Sequence, residues 1–246
     1  MLRCPAMAAE RRSPWLYALF GCLGLVAVIV VVIGALTFVG VRTARNIAAD
    51  NEDPERRGQR ALEILGADEA PGGFHAVAVV SVPFVIDMAI LSDVAPGAEP
   101  WAGEFGERGF YYVQALWGGD DLREFFDGET SEAETLRDMG LELDLGEHLG
   151  RGDLDREDVA ARWATFRGST MFGPGEQIGE LVTLIEFDCP QDERMRMGIW
   201  FGPAAETGGT DETQGRDAAA SVSGSDAIAA FLEPIHPCGS TAADGA

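Results

Sequence analysis

Residues 180–201 read ELVTLIEFDCPQDERMRMGIWF, and this stretch decides the fold. Leu181, Thr183, Ile185 and Phe187 alternate along its first half, and Met195, Met197, Ile199 and Phe201 along its second. A two-residue period is that of a strand, whose successive side chains point to opposite faces. Between the halves, Cys189 to Arg194 is short, polar and broken by Pro190, as a hairpin loop requires. An antiparallel pair is therefore the nucleus of the predicted sheet.

Working outward, Gly109–Trp117 is a third strand, dense in aromatics, and Phe74–Val82 a fourth, ended by Pro83. Phe84–Leu91 fits a further strand or a helix begun by Pro83. Helix signals lie between these runs. Asp53-Pro54 supplies a cap and a first-turn proline, with Gly66 as the stop. Asp120 is the expected cap of a short helix bearing Leu122, Phe125 and Phe126 and stopped by Gly128. Ser225 opens a last helix with Ile228, Phe231 and Leu232, ended by Pro234. Glu129–Arg167 is acidic and reads as helical, with Asp155 capping Arg156–Trp163. Residues 203–224 are rich in Gly, Ala, Thr and acids and read as a mobile surface loop. Strands adjacent in sequence with helices around them predict an α+β domain with a largely antiparallel sheet.

The N-terminus is of another kind. No charged side chain occurs from Ser13 to Val41, and Arg12 and Arg42 bound the gap. As a helix, Trp15–Val41 reaches roughly 40 Å, beyond the roughly 30 Å of a hydrocarbon core. A cleaved signal peptide has an apolar region of about 7–15 residues and a small-residue cleavage site; this run is longer and ends in VRTARN. Leu19-Phe20-Gly21-Cys22 resembles a lipobox, but LGLVAVIVVV follows Cys22 where a lipidated chain turns polar. Pro14 interrupts what would follow a twin-arginine pair at Arg11-Arg12. The expected organisation is a short cytoplasmic tail (1–14), an uncleaved transmembrane helix (15–41), a tether (42–52) and an acidic domain (53–246).

Arginine is nearly balanced across the span, so the positive-inside count alone leaves orientation open. Two features decide it. Arg11-Arg12 directly precedes the apolar run, as in a signal anchor, and the far domain holds two well-separated cysteines. The domain is expected outside the inner membrane. Cys189 and Cys238 are then the cysteines available to an oxidising compartment, since Cys4 lies in the tail and Cys22 in the span. Both sit in turns beside proline, and a disulfide between them is expected.

The chain carries a net charge of −23, and its basic residues are all arginine. An acidic domain repels nucleic acid and anionic headgroups, because affinity for both comes from neutralising phosphates with cations. Nucleic acid is excluded as a partner, and the bilayer is expected to be met through residues 15–41.

His75, His148 and His236 have no metal-ligand spacing, and no nucleophile elbow, P-loop or dinucleotide fingerprint occurs. Asp153, Asp155 and Glu157 begin like a calcium loop, but Asp158 stands at the glycine position and Ala164 at the bidentate one. No cofactor, metal or catalytic residue is expected. Asp87 is the one carboxylate inside an apolar run, FVIDMAIL, where it either faces solvent on a half-exposed element or is buried at a cost, as catalytic carboxylates are. The expected function is a single-pass envelope protein whose outer domain binds or supports another, unknown envelope protein without catalysis. The alternative is an envelope hydrolase using carboxylates near Asp87.

Overall fold

The computed structural model describes residues 34, 37–95, 106–128, 143–155, 159–172, 176–190, 192–204 and 225–238. Most of the expected span, and nearly all of the expected mobile loop, lie outside these residues. Among the described residues, no helix is long and apolar enough to cross a membrane. Residues 37–52, which include the expected tether, are helical.

The domain is α+β. Strands β1 (His75–Val82), β2 (Ile86–Ser92), β3 (Gly109–Ala115), β4 (Leu143–Asp155), β5 (Ala160–Phe172), β6 (Glu176–Ile178), β7 (Leu181–Asp188) and β8 (Met195–Gly202) form one sheet. Its order is β1-β2-β3-β8-β7-β5-β4, with β6 added to the far half of β5. All pairings are antiparallel. The 180–201 hairpin lies at the centre, β8 against β3 and β7 against β5.

Being central, β7 and β8 are buried on both faces along nearly their whole length. One face packs Tyr112, Phe187 and Trp200 under helices α1 (Pro54–Leu65) and α3 (Ser225–Leu232), through Ala61, Leu65, Ile228 and Leu232. Phe231 meets Phe74 and Phe110 edge-on at centroid distances of 5.5 and 4.9 Å. The other face packs Phe166, Leu184, Ile199 and Phe201 against Leu122 and Phe125 of α2 (Gly119–Asp127).

Helix α1 forms as expected. Asp53 accepts from the Glu55 and Arg56 amides, and Gly66 ends the helix at φ 64°. Glycine is required there twice over, because a Cβ would lie 2.1 Å from the His236 carbonyl oxygen. The cap of α2 differs from expectation. Gly118 occupies it in a left-handed conformation with no side-chain bond, while Asp120 and Asp121 sit in the first turn, where the helix dipole favours acids.

The larger correction concerns 129–167. Its described part is no helix but the long β4–β5 hairpin, and Ala160–Trp163 is strand. Glycine explains both the fold and the misreading. Trp163 lies across Gly150 and Gly152, and a Cβ on Gly152 would stand 3.0 Å from the indole. The strand is thus built around an aromatic plate rather than around β-branched residues.

The two edges are guarded differently, as unpaired strand edges invite association. On β1, the buried Asn51 amide donates to the Val79 carbonyl and accepts from its N–H, at 2.7 and 2.9 Å. Buried Arg57 donates to the Ala76 and Asn51 carbonyls. Edge strand β4 instead carries bulges near His148 and the charges of Asp144, Glu147, Arg151 and Asp153.

Candidate functional site

Antiparallel pairing brings several turns to one end of the sheet. Val82, Ile86, Ala115 and Met195 form its last rung on four strands. One step inward, Ser81, Asp87, Gln114 and Arg196 stand side by side on the face that carries α1. They make a polar ladder. Arg60 of α1 donates to the Ser81 hydroxyl, which donates to Asp87 Oδ1 at 2.5 Å. Arg196 donates to Gln114 at 3.2 Å and to Asp192 at 2.5 Å. Asp87 is thus half-buried and already hydrogen-bonded, a positioned member of a structural row.

Tyr112 lies beneath this row. Burial pushes its phenol well above the ordinary value, and the neighbouring Arg196 guanidinium pulls the other way. Arg196 is near enough to act on the phenol electrostatically, but no group meets hydrogen-bond geometry with the hydroxyl among the described residues.

Beyond the rungs, the β1–β2 and β3–α2 connections meet. Val82-Pro83-Phe84-Val85 is a tight turn closed by Val85 N–H on the Val82 carbonyl at 2.9 Å. Proline at the second position and a positive φ at the third are the pattern of a type II turn, which favours glycine at that third position. Phe84 occupies it at φ 64° and is 83 % exposed. Left-handed backbone costs a residue with a side chain about 1–2 kcal/mol, and so exposed a ring returns little of that by burial. Phe84→Asn, which tolerates the conformation, is expected to raise the melting temperature in calorimetry. Leu116 N–H bonds the Val85 carbonyl at 3.2 Å, so Leu116 and Trp117, both exposed, join Phe84 and Val85 in one apolar tip.

Farther along the same end is an open cleft of about 550 Å³, lined by Arg123, Asp127, Asp153, Leu154, Ala160, Ala161, Arg162, Glu186 and Asp188. Arg162 organises it. Its Nε and Nη2 reach Glu186 Oε2 at 2.7 and 2.6 Å, and its Nη1 reaches Asp127 Oδ1 at 2.5 Å. The guanidinium also lies 5.4 Å from the Phe126 ring centre. Glu186 is only 6 % exposed, and burial raises its pKa against the opposing pull of Arg162. Four carboxylates against two guanidinium groups leave the cleft net negative.

Cys189 follows β7 at this end and is joined to Cys238, with Cα atoms 5.4 Å apart. The bridge draws the segment after α3 across the end of α1, where His236 N–H bonds the Leu65 carbonyl at 3.1 Å. The histidines are scattered. His75 begins β1, His148 lies on β4 with its ring against Phe166, and His236 follows α3. Among the described residues, no group of three His, Cys, Asp or Glu is gathered as metal ligands.

Reading the sequence missed the cleft and the tip. The cleft is assembled from α2, β4, β5 and β7, and its β-hairpin was read as helix. The tip did leave a signal: Pro83-Phe84 and Leu116-Trp117 are apolar pairs standing where turns belong. No protein-family model matches this chain, and neither a curated protein nor a solved structure does.

Proposed function

We propose that this is a single-pass, inner-membrane-anchored envelope protein whose acidic domain stands outside the membrane and binds another envelope component without catalysis. The observation that carries the binding role is the cleft of about 550 Å³ at the turn-bearing end. Its volume is that of an ordinary ligand or side-chain pocket. Its net charge selects a partner group bearing positive charge. The Arg162–Glu186–Asp127 cluster keeps the walls in place, so the site needs little ordering on binding. The uncharged Ser13–Val41 stretch supports the anchor, and the Cys189–Cys238 geometry supports an oxidising compartment.

Ala160 is an exposed residue of the cleft wall that makes no ion pair, so Ala160→Trp fills the space and leaves the salt bridges alone. With the full chain in native membranes and a photocrosslinker at Asp153, the wild type is expected to give a discrete adduct with one envelope component. Ala160→Trp is expected to lower its yield at least tenfold, about 1.4 kcal/mol of binding, with an unchanged melting midpoint. An adduct of equal yield in both chains would remove the cleft from this role.

A further inference from the structure

We propose that the apolar tip of Phe84, Val85, Leu116 and Trp117 rests in the interfacial layer of the bilayer that holds the N-terminal span, giving the domain a second attachment. The proposal rests on the reading of Trp15–Val41 as an anchor.

Exposure makes the patch available. Phe84 is 83 % exposed, Trp117 59 %, Leu116 55 % and Val85 38 %. Large exposed apolar side chains are ordinary when scattered; gathered on one protrusion they mark a contact surface. These four are gathered, because the Leu116–Val85 hydrogen bond ties the two loops together. The turn holds Phe84 outward at a positive φ instead of folding it back onto the sheet.

Chain length puts the bilayer within reach. Asn51 is fixed to Val79 of β1 by two hydrogen bonds. Val41, the last residue of the apolar stretch, precedes Asn51 by only ten residues of chain. Phe84 follows Val79 by five residues, which span at most about 17 Å. Phe38, Val39 and Val41 are themselves exposed and apolar. A lipid contact at the tip therefore spans a short length of chain.

The side chains fit that occupant. Tryptophan and phenylalanine settle at headgroup depth, where an aromatic ring meets acyl chains and an indole N–H stays wet. Asp120 and Asp121 begin α2 beside the tip, and the chain as a whole is acidic. Attraction to anionic lipid is thus excluded as the driving force. The contact is apolar insertion into a zwitterionic surface, insensitive to salt and weakened by anionic lipid.

The test uses the full chain reconstituted in phosphatidylcholine vesicles with brominated acyl chains, which quench tryptophan emission on contact. In a Trp101→Phe background, with Trp163 and Trp200 buried, Trp117→Phe and Trp15→Phe are each expected to remove about half of the quenching. Phe84→Asn is expected to lower the Trp117 share at least twofold with no drop in melting temperature. Molar salt is expected to leave that share unchanged, and added phosphatidylglycerol to lower it. If Trp15→Phe abolishes all quenching and Trp117→Phe removes none, the tip does not touch lipid and the proposal is overturned. The anchor and the cleft would survive that result. If neither indole is quenched, anchor and tip fall together, while the Ala160→Trp result on the cleft stands by itself. A Trp117 share unmoved by Phe84→Asn would remove Phe84 from the contact.

Discussion

Replacing both Cys189 and Cys238 by alanine is expected to lower the unfolding free energy of the domain by about 4 kcal/mol. The bridge joins residues 49 positions apart, and in the chain-entropy model closing such a loop removes about that much freedom from the unfolded chain. The enclosed segment includes β8, residues 205–224 and α3. The loss is expected to be uneven. Ile228, Phe231, Leu232 and Ile235 keep their apolar contacts without the bridge, so α3 stays docked under native conditions. The His236–Leu65 bond and the segment after α3 lose their tie to β7. Hydrogen exchange should then quicken first at residues 233–238 and at Gly66, and urea unfolding reports the whole loss. Blocking free thiols in intact membranes before denaturation tests the compartment as well. Cys189 and Cys238 are expected to resist labelling until a reductant is added, and labelling without reductant would place the domain in the cytoplasm.

How much of this was legible in the sequence depends on the kind of interaction. Elements fixed by local chemistry were read nearly to the residue: the Asp53 cap and Gly66 stop of α1, the Gly128 stop of α2, and the β7–β8 hairpin. The α+β class and the antiparallel sheet follow from those. The alternation seen in 181–187 and 195–201 was half of the pattern. Because both strands are central, Val182 and Leu184 are as buried as Leu181 and Ile185, and Trp200 as buried as Phe201. The β4–β5 hairpin was illegible for a different reason. Its glycines serve a ring that arrives from the neighbouring strand, Trp163 over Gly150 and Gly152. A pairing between strands has no local signature, so an acidic, glycine-bearing run was taken for helix. The cleft inherits that illegibility. Glu186 was visible only as a polar member of an apolar strand, and Arg162 lay inside the misread segment, so nothing local announced that β5–β7 pairing would set them opposite each other. Asp87 shows the converse. Its apolar neighbours were plain in the sequence, but its hydrogen bond to Ser81 is made across the β1–β2 pair.

Arg162→Met is expected to cost about 3 kcal/mol at pH 7, and the size of the loss should itself depend on pH. Removing one member of a buried ion pair leaves the other charge uncompensated, which costs about 3–5 kcal/mol. The lower end applies because Arg162 is 31 % exposed and water reaches part of the pair. The charge left behind belongs to Glu186, whose pKa burial already raises from its ordinary 4.5. Without the guanidinium it rises further, so the folded variant binds a proton more tightly than the unfolded chain does. Its stability then falls as pH climbs from about 4.5 through the folded value, and is recovered as pH falls again. Asp192 works in the opposite sense and in another window. Burial alone would raise its pKa, but hydrogen bonds from Arg196 and from the Arg194 amide outweigh that and hold it below 3.8. Its contribution is complete above 3.8 and lost only as pH falls through the lower, folded value. Between pH 4.5 and 7 the difference between variant and wild type therefore reports Glu186. Urea unfolding across that range should show the Arg162→Met deficit shrinking towards acid. The double variant Arg162→Met/Glu186→Gln should recover most of the deficit at pH 7, because an amide can stay buried at far lower cost than an unpaired carboxylate. A deficit that is flat with pH and untouched by Glu186→Gln would mean that Arg162 acts through its packing on Phe126 and its bond to Asp127 rather than by neutralising Glu186.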